Sequence, residues 1–167
     1  KNSLFGTEVK QELADINKFS KKIKAGKDAQ ITEDFMIFAR LESLILKKGI
    51  DDCLRRSEAY LKSGADGIMI HSKESKPDEV LEFAMKFRKE NSHVPLISVP
   101  TTYNTIYEDQ LVDAGFNIVI YANHMLRAAY PAMLETAKLI LKSSRSYETE
   151  KVCMSIADIL NLIPGTR

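Results

Sequence analysis

Short apolar runs alternate along this chain with longer segments whose apolar residues recur every three or four positions, which predicts strands and helices in strict succession. Residues 13–25 carry Leu13, Ile16, Phe19 and Ile23 at helical spacing, with Gly26 as the stop. Residues 35–41 form a continuous apolar run that ends at Arg40, the pattern of a strand buried on both faces. Residues 50–63 read as a helix closed by Gly64, 66–71 as a second buried strand, and 78–90 as a helix opened by Pro77, whose fixed φ suits a first turn. A strand at 95–99, a short helix at 107–113 closed by Gly115 and a strand at 117–121 follow. A long helix at 125–142 continues through Pro131 behind Asn123, whose side chain is suited to cap it, and a further helix spans 150–162. The Met and Tyr residues of 125–142 read as core and subunit packing.

At least four β-α units in series, joined by right-handed crossovers, give a parallel sheet, either open and doubly wound or part of a closed barrel. Neither a GxGxxG nor a GxxxxGK[ST] motif occurs, so dinucleotide and P-loop phosphate binding have no motif support. Two strands are instead entered from similar turns, Gly64-Ala65-Asp66 and Ala114-Gly115-Phe116, of a kind common in barrels. A complete barrel takes roughly 250 residues, more than the 167 present. The chain therefore reads as a single α/β domain over 1–167, the C-terminal part of a (β/α)8 TIM-type barrel with extra C-terminal helices, its strands near 35–41, 66–71, 95–99 and 117–121.

Composition narrows the function classes only a little. Hydrophobic residues make up 44% and charged residues 28%, with 24 basic against 23 acidic side chains, an ordinary globular balance. A net charge of +1 with no basic tract argues against nucleic-acid binding. No apolar run approaches the roughly 18 residues of a membrane span, and the first residues are not a signal sequence. Cys53 and Cys153 lack a CxxC spacing, so a reducing cytoplasm with both thiols buried or inert is the simplest reading. His71, His93 and His124 lack metal-ligand spacing.

The candidate chemistry lies at two strand ends. Arg40 and His71 each close a β-type run, and in an α/β barrel that is where side chains enter the active site. From pattern alone Arg40 is equally a structural partner of Glu42, and His71 a hydrogen-bonded strand-end histidine. Glu42, two residues beyond Arg40, either orients the guanidinium or caps the loop. Thr101, Thr102 and Tyr103 after Val99-Pro100 read first as turn residues.

Taken together, Lys1-Asn2-Ser3-Leu4, Phe38-Ala39-Arg40-Leu41-Glu42, the run Ser63 to Lys73, Val99-Pro100-Thr101-Thr102-Tyr103 and the run Tyr121 to Arg127 resemble the phosphoenolpyruvate mutase family of the isocitrate lyase superfamily. The resemblance implies an Mg2+-dependent isomerase that interconverts phosphoenolpyruvate and phosphonopyruvate, the step that makes the carbon–phosphorus bond of phosphonates. It implies that Arg40 and His71 contact the phosphoryl group, and that Asn2, Ser3 and Leu4 bind substrate from a gating loop whose end is 1–8. The metal ligands would lie before Lys1, none of them in this sequence. A homo-oligomer packed through the C-terminal helices is also implied. A phosphonopyruvate hydrolase on the same scaffold is the nearest alternative; such enzymes tend to carry Thr where Asn2 stands. A carbon–carbon lyase would need a loop cysteine that the N-terminal residues lack, and a non-catalytic half-barrel is the remaining alternative.

Overall fold

A computed structural model describes residues 11–165. The chain divides into two compact units, Lys1–Ala122 and Asn123–Arg167, where the sequence reads as one domain.

In the first unit, α1 (Ile16–Asp28) precedes three full β-α units and a last strand: β1 (Phe38–Leu41), α2 (Gly49–Lys62), β2 (Gly67–Ile70), α3 (Asp78–Glu90), β3 (Leu96–Ser98), α4 (Glu108–Asp113) and β4 (Ile118–Val119). The four strands form one parallel sheet in the order β1-β2-β3-β4. A doubly wound sheet reverses its strand order at a switch point, whereas barrel strands follow one another in sequence. The unbroken order is that of consecutive barrel strands.

Strand pleating sorts the residues into two faces. Ala39, Leu41, Ile68, Ile70 and Leu96 pack against Cys53 and Tyr60 of α2, Val80, Phe83, Ala84 and Phe87 of α3, and Leu111 and Phe116. Phe83 and Phe87 stack at 5.5 Å between ring centroids, and burying each such side chain stabilises by about 1.5–3 kcal/mol. The register pairs Arg40 with Met69 and Met69 with Ile97, so these three share the opposite face.

Several elements differ from their sequence readings. α1 starts at Ile16 behind Asp15, whose side chain accepts the Lys18 N–H at 2.9 Å, and runs through Gly26 to Asp28. Gly26 serves packing and not termination: a Cβ there would lie 3.0 Å from Ile37 Cδ1. Gly64 and Gly115 do end their helices, at φ of +100° and +90°. Pro77 caps α3 and does not occupy its first turn. β1 is not buried on both faces: Phe35 and Met36 are exposed and precede the strand, and Arg40 is exposed between buried Ala39 and Leu41.

The second unit holds α5 (His124–Ser143), a 3-10 turn at Tyr147–Lys151 and α6 (Ile156–Leu160). The expected helix over 150–162 is broken because the Ser155 hydroxyl caps a new start, accepting the Asp158 N–H at 3.1 Å. α5 passes through Pro131, as expected. Asn123 does occupy its N-cap position, but the side chain makes no capping bond. No residue of α5 is buried, so its Met and Tyr side chains are not core. Cys53 is buried, whereas Cys153 is exposed in an irregular segment and not in the helix expected over 150–162.

Candidate active site

Parallel strands present their C-terminal ends to one side, and the residues that leave them converge there. Arg40 is the third residue of β1, and its alternation away from Ala39 and Leu41 turns it off the helix-packed face. The backbone then delivers Glu42 two positions on, and the Arg40 Nε–H donates to Glu42 Oε1 at 2.5 Å. The pair is part-exposed, at 41% and 28% for the two side chains, so the attraction itself stabilises little, about 0–1 kcal/mol. Its effect is to orient a planar fork of donors while much of the guanidinium still faces solvent.

His71 follows β2 directly, and its environment is the reverse. The residue is 1% exposed, and neither Nδ1 nor Nε2 has a hydrogen-bond partner among the described residues. Burial pushes the imidazole down to about 4, and the Arg40 charge adds to the effect while Glu42 opposes it. Arg40 and His71 are therefore close enough to feel one another. At neutral pH His71 is an uncharged ring with one N–H donor and one acceptor, so it does not supply the second positive charge that protonation would give.

A cavity of about 120 Å³ opens beside Arg40 and Glu42, walled by Glu12, Leu13, Phe19, Arg56 and Tyr60. Its wall at 12–14 follows closely on the residues expected to form the gating loop. Asn2, Ser3 and Leu4 themselves lie outside the described residues.

Two polar networks around the strand ends were missed by the sequence reasoning. Behind β1, Ser43 donates to Asp52 at 2.7 Å and Arg56 Nε–H donates to the same carboxylate at 2.8 Å. Arg56 also reaches the Ala14 carbonyl at 2.9 Å and the Tyr60 hydroxyl at 3.0 Å, so it fastens the segment before α1 to α2. Burial alone would raise the Asp52 carboxyl, but hydrogen bonds from Arg55, Ser43 and Arg56 hold it at about 2. Desolvation pushes the neighbouring Cys53 thiol up to about 12, which makes it inert. Behind β2, the Ser72 hydroxyl donates to Glu79, and the Thr102 hydroxyl donates to the Ser72 carbonyl at 2.9 Å. The spacing of i to i+4 between Asp52 and Arg56 was a readable signal. The Thr102 bond spans 30 residues and had none.

Among the described residues no group of three or more His, Cys, Asp or Glu side chains is placed to hold a metal ion. Glu42 is engaged by Arg40. These residues do not make a metal centre.

Sequentially ordered parallel strands, with a cationic fork and a neutral imidazole at adjacent C-terminal ends, define the class as an α/β barrel, a fold in which ligands are taken at that face. Comparison with known proteins narrows it further. The family profile described as phosphoenolpyruvate phosphomutase matches residues 4–141, and the chain belongs to that family. A phosphoenolpyruvate phosphomutase of Tetrahymena pyriformis is 39% identical over 97% of this chain and 53% of its own length. The solved phosphoenolpyruvate phosphomutase of Streptomyces platensis subsp. rosaceus superposes with a TM-score of 0.85 at 40% identity, over 96% of this chain and 54% of that one. A phosphonopyruvate hydrolase solved with oxalate and Mg2+ superposes with a TM-score of 0.81 at 36% identity, over 93% of this chain and 55% of that one. The chain thus spans about half the length of the relatives it matches.

Proposed function

We propose that the enzyme to which this chain contributes interconverts phosphoenolpyruvate and phosphonopyruvate, and that Arg40 and His71 hold the phosphoryl group while it moves between carbon and oxygen. The observation that carries the reading is the pairing of an oriented, part-exposed guanidinium with a buried, neutral imidazole that has no hydrogen-bond partner among the described residues, at neighbouring strand ends. In the isomerisation the carbon–phosphorus bond breaks and the phosphoryl group rejoins at the enolate oxygen, with no atom gained or lost. A loose transition state spreads negative charge over the equatorial oxygens, which suits a permanent cation with a planar donor fork.

The neutral imidazole suits the other fragment. A pyruvate enolate is lost if it is protonated, and a ring held uncharged donates an N–H bond to a phosphoryl oxygen without offering a strong acid. Asn2, Ser3 and Leu4 complete the substrate contacts from the closing loop. Asn2 contributes an amide donor that is not a base, and the closed loop keeps water out. Magnesium, present in the hydrolase relative's structure, would supply positive charge against the substrate's oxygens.

The second reading, hydrolysis of phosphonopyruvate, is favoured by the close fit of the hydrolase relative. Asn2 supports the mutase reading over it. Phosphorus NMR of the full-length enzyme with Mg2+ and phosphonopyruvate tests the two: a phosphoenolpyruvate signal is expected, and inorganic phosphate with pyruvate alone would overturn the isomerase. Asn2→Ala should slow turnover far more than it alters folding, because the task proposed for its amide is to hold the substrate and not to pack the fold. It should also raise the fraction of substrate lost as phosphate; an unchanged rate and fraction would remove Asn2 from the site.

We also propose a homo-oligomer assembled through the C-terminal helices, supported by Met125, Leu126, Tyr130, Met133 and Leu141 of α5, all more than half exposed. Sedimentation of the full-length protein as a compact monomer at micromolar concentration would oppose it. Among the described residues no helix is long and apolar enough to cross a membrane.

A further inference from the structure

His71 poses a positioning problem. Its ring is fully buried, yet neither nitrogen is held by a hydrogen bond among the described residues. A catalytic imidazole is ordinarily oriented by a bond to its second nitrogen. Among the described residues its place is set by packing and by the main chain that carries it.

That main chain is braced from outside its own loop. The carbonyl of Ser72, the next residue, accepts the Thr102 hydroxyl at 2.9 Å. The Ser72 hydroxyl donates to Glu79 on α3 and accepts the Glu74 N–H at 3.0 Å. Thr102 is in turn held by its neighbour Tyr103, which is 0% exposed in the hydrophobic core, with its hydroxyl 3.1 Å from Ser98 Oγ on β3. A short chain of fixed points therefore runs from β3 through Tyr103 and Thr102 to Ser72.

A turn-stabilising threonine would bond within its own loop. The turn after β3 is already closed by the Thr101 N–H on the Val99 carbonyl at 2.7 Å. Thr102 instead reaches across to the loop of the neighbouring strand. We propose that Thr102 is a positioning residue for His71, acting through the Ser72 carbonyl, with Ser72, Glu79 and Tyr103 as the rest of the brace. The inference rests on the assignment of His71 to the phosphoryl site.

Thr102→Val keeps the shape and removes the donor, whereas Thr102→Ser keeps the donor and loses a methyl. In the full-length enzyme with Mg2+ and phosphonopyruvate, Thr102→Val should lower kcat by about tenfold or more, with KM changed by less than about twofold, because small misplacements of a reacting group are costly. Thr102→Ser should recover most of the loss. Independently of activity, NMR titration of ring-labelled histidine, assigned through His71→Gln, should show His71 moving up toward the ordinary histidine range in Thr102→Val. Arg40 and Glu42, the charges that act on it, are unchanged in that variant. Exposed His93 is the internal reference.

Wild-type kcat and an unmoved His71 titration in Thr102→Val, with only thermal stability lowered, would overturn the proposal. So would a loss of kcat that Thr102→Ser fails to recover. If the wild-type enzyme does not turn over phosphonopyruvate, the functional reading fails and the His71 titration alone decides the brace.

Discussion

The ends of β1 and β2 are adjacent strands of one sheet, yet they solve the problem of presenting a polar side chain in opposite ways. Arg40 is part-exposed and paired, with Glu42 fixing the orientation of its guanidinium. His71 is enclosed, without a hydrogen-bond partner among the described residues, and burial strips its charge. Placing two full cations side by side would cost repulsion; pairing one cation with one neutral donor avoids it. The difference teaches that the end of a barrel strand does not by itself set the electrostatics of the residue it carries. The next shell of contacts does.

The sharpest way to break the comparison is to remove the charge at β1. Arg40→Ala should lower kcat/KM by about 10³, or about 4 kcal/mol, while Arg40→Lys recovers only part because it lacks the fork. Steady-state kinetics with phosphonopyruvate decides it, and near-normal activity with reduced thermal stability would mark Arg40 as structural. His71→Ala should be milder, on the order of 10², since one uncharged donor is lost and not a cation.

A third effect belongs to stability. The His71 pKa is depressed in the fold, so the unfolded chain binds the additional proton as pH falls below the ordinary value of 6.5. The associated stability is fully present above pH 6.5 and is lost as pH falls toward 4. At pH 5 the loss should be on the order of 2 kcal/mol. Denaturant melts of wild type and His71→Gln across that window should converge at low pH; parallel curves would mean that the imidazole titrates normally. The smallest effect is expected at Glu42. Glu42→Gln should leave stability within about 1 kcal/mol and reduce kcat/KM by about tenfold by loosening Arg40.

Strand ends were legible because an apolar run that closes on Arg or His is a local signal, and Gly64 and Gly115 mark helix ends by a conformation that other residues resist. Gly26 carried the same letter for another reason, close approach of Ile37, which only the packed structure discloses. Likewise, residues 150–162 have helical periodicity, but Ser155 restarts the chain locally. At the candidate site the positions of Arg40, Glu42 and His71 could be read, but the neutrality of His71 could not, since desolvation depends on what surrounds the ring. Nor could the role of Thr102, whose partner lies 30 residues away.

The unbroken order of the four strands has a consequence for how the protein is made. Each strand pairs with the one emerging next from the ribosome, so every new β-α unit finds a finished edge and closes only a single helical crossover onto it. Synthesis and assembly run in the same direction. The temporary cost is an unpaired growing edge, open to a neighbouring nascent chain until the next strand covers it.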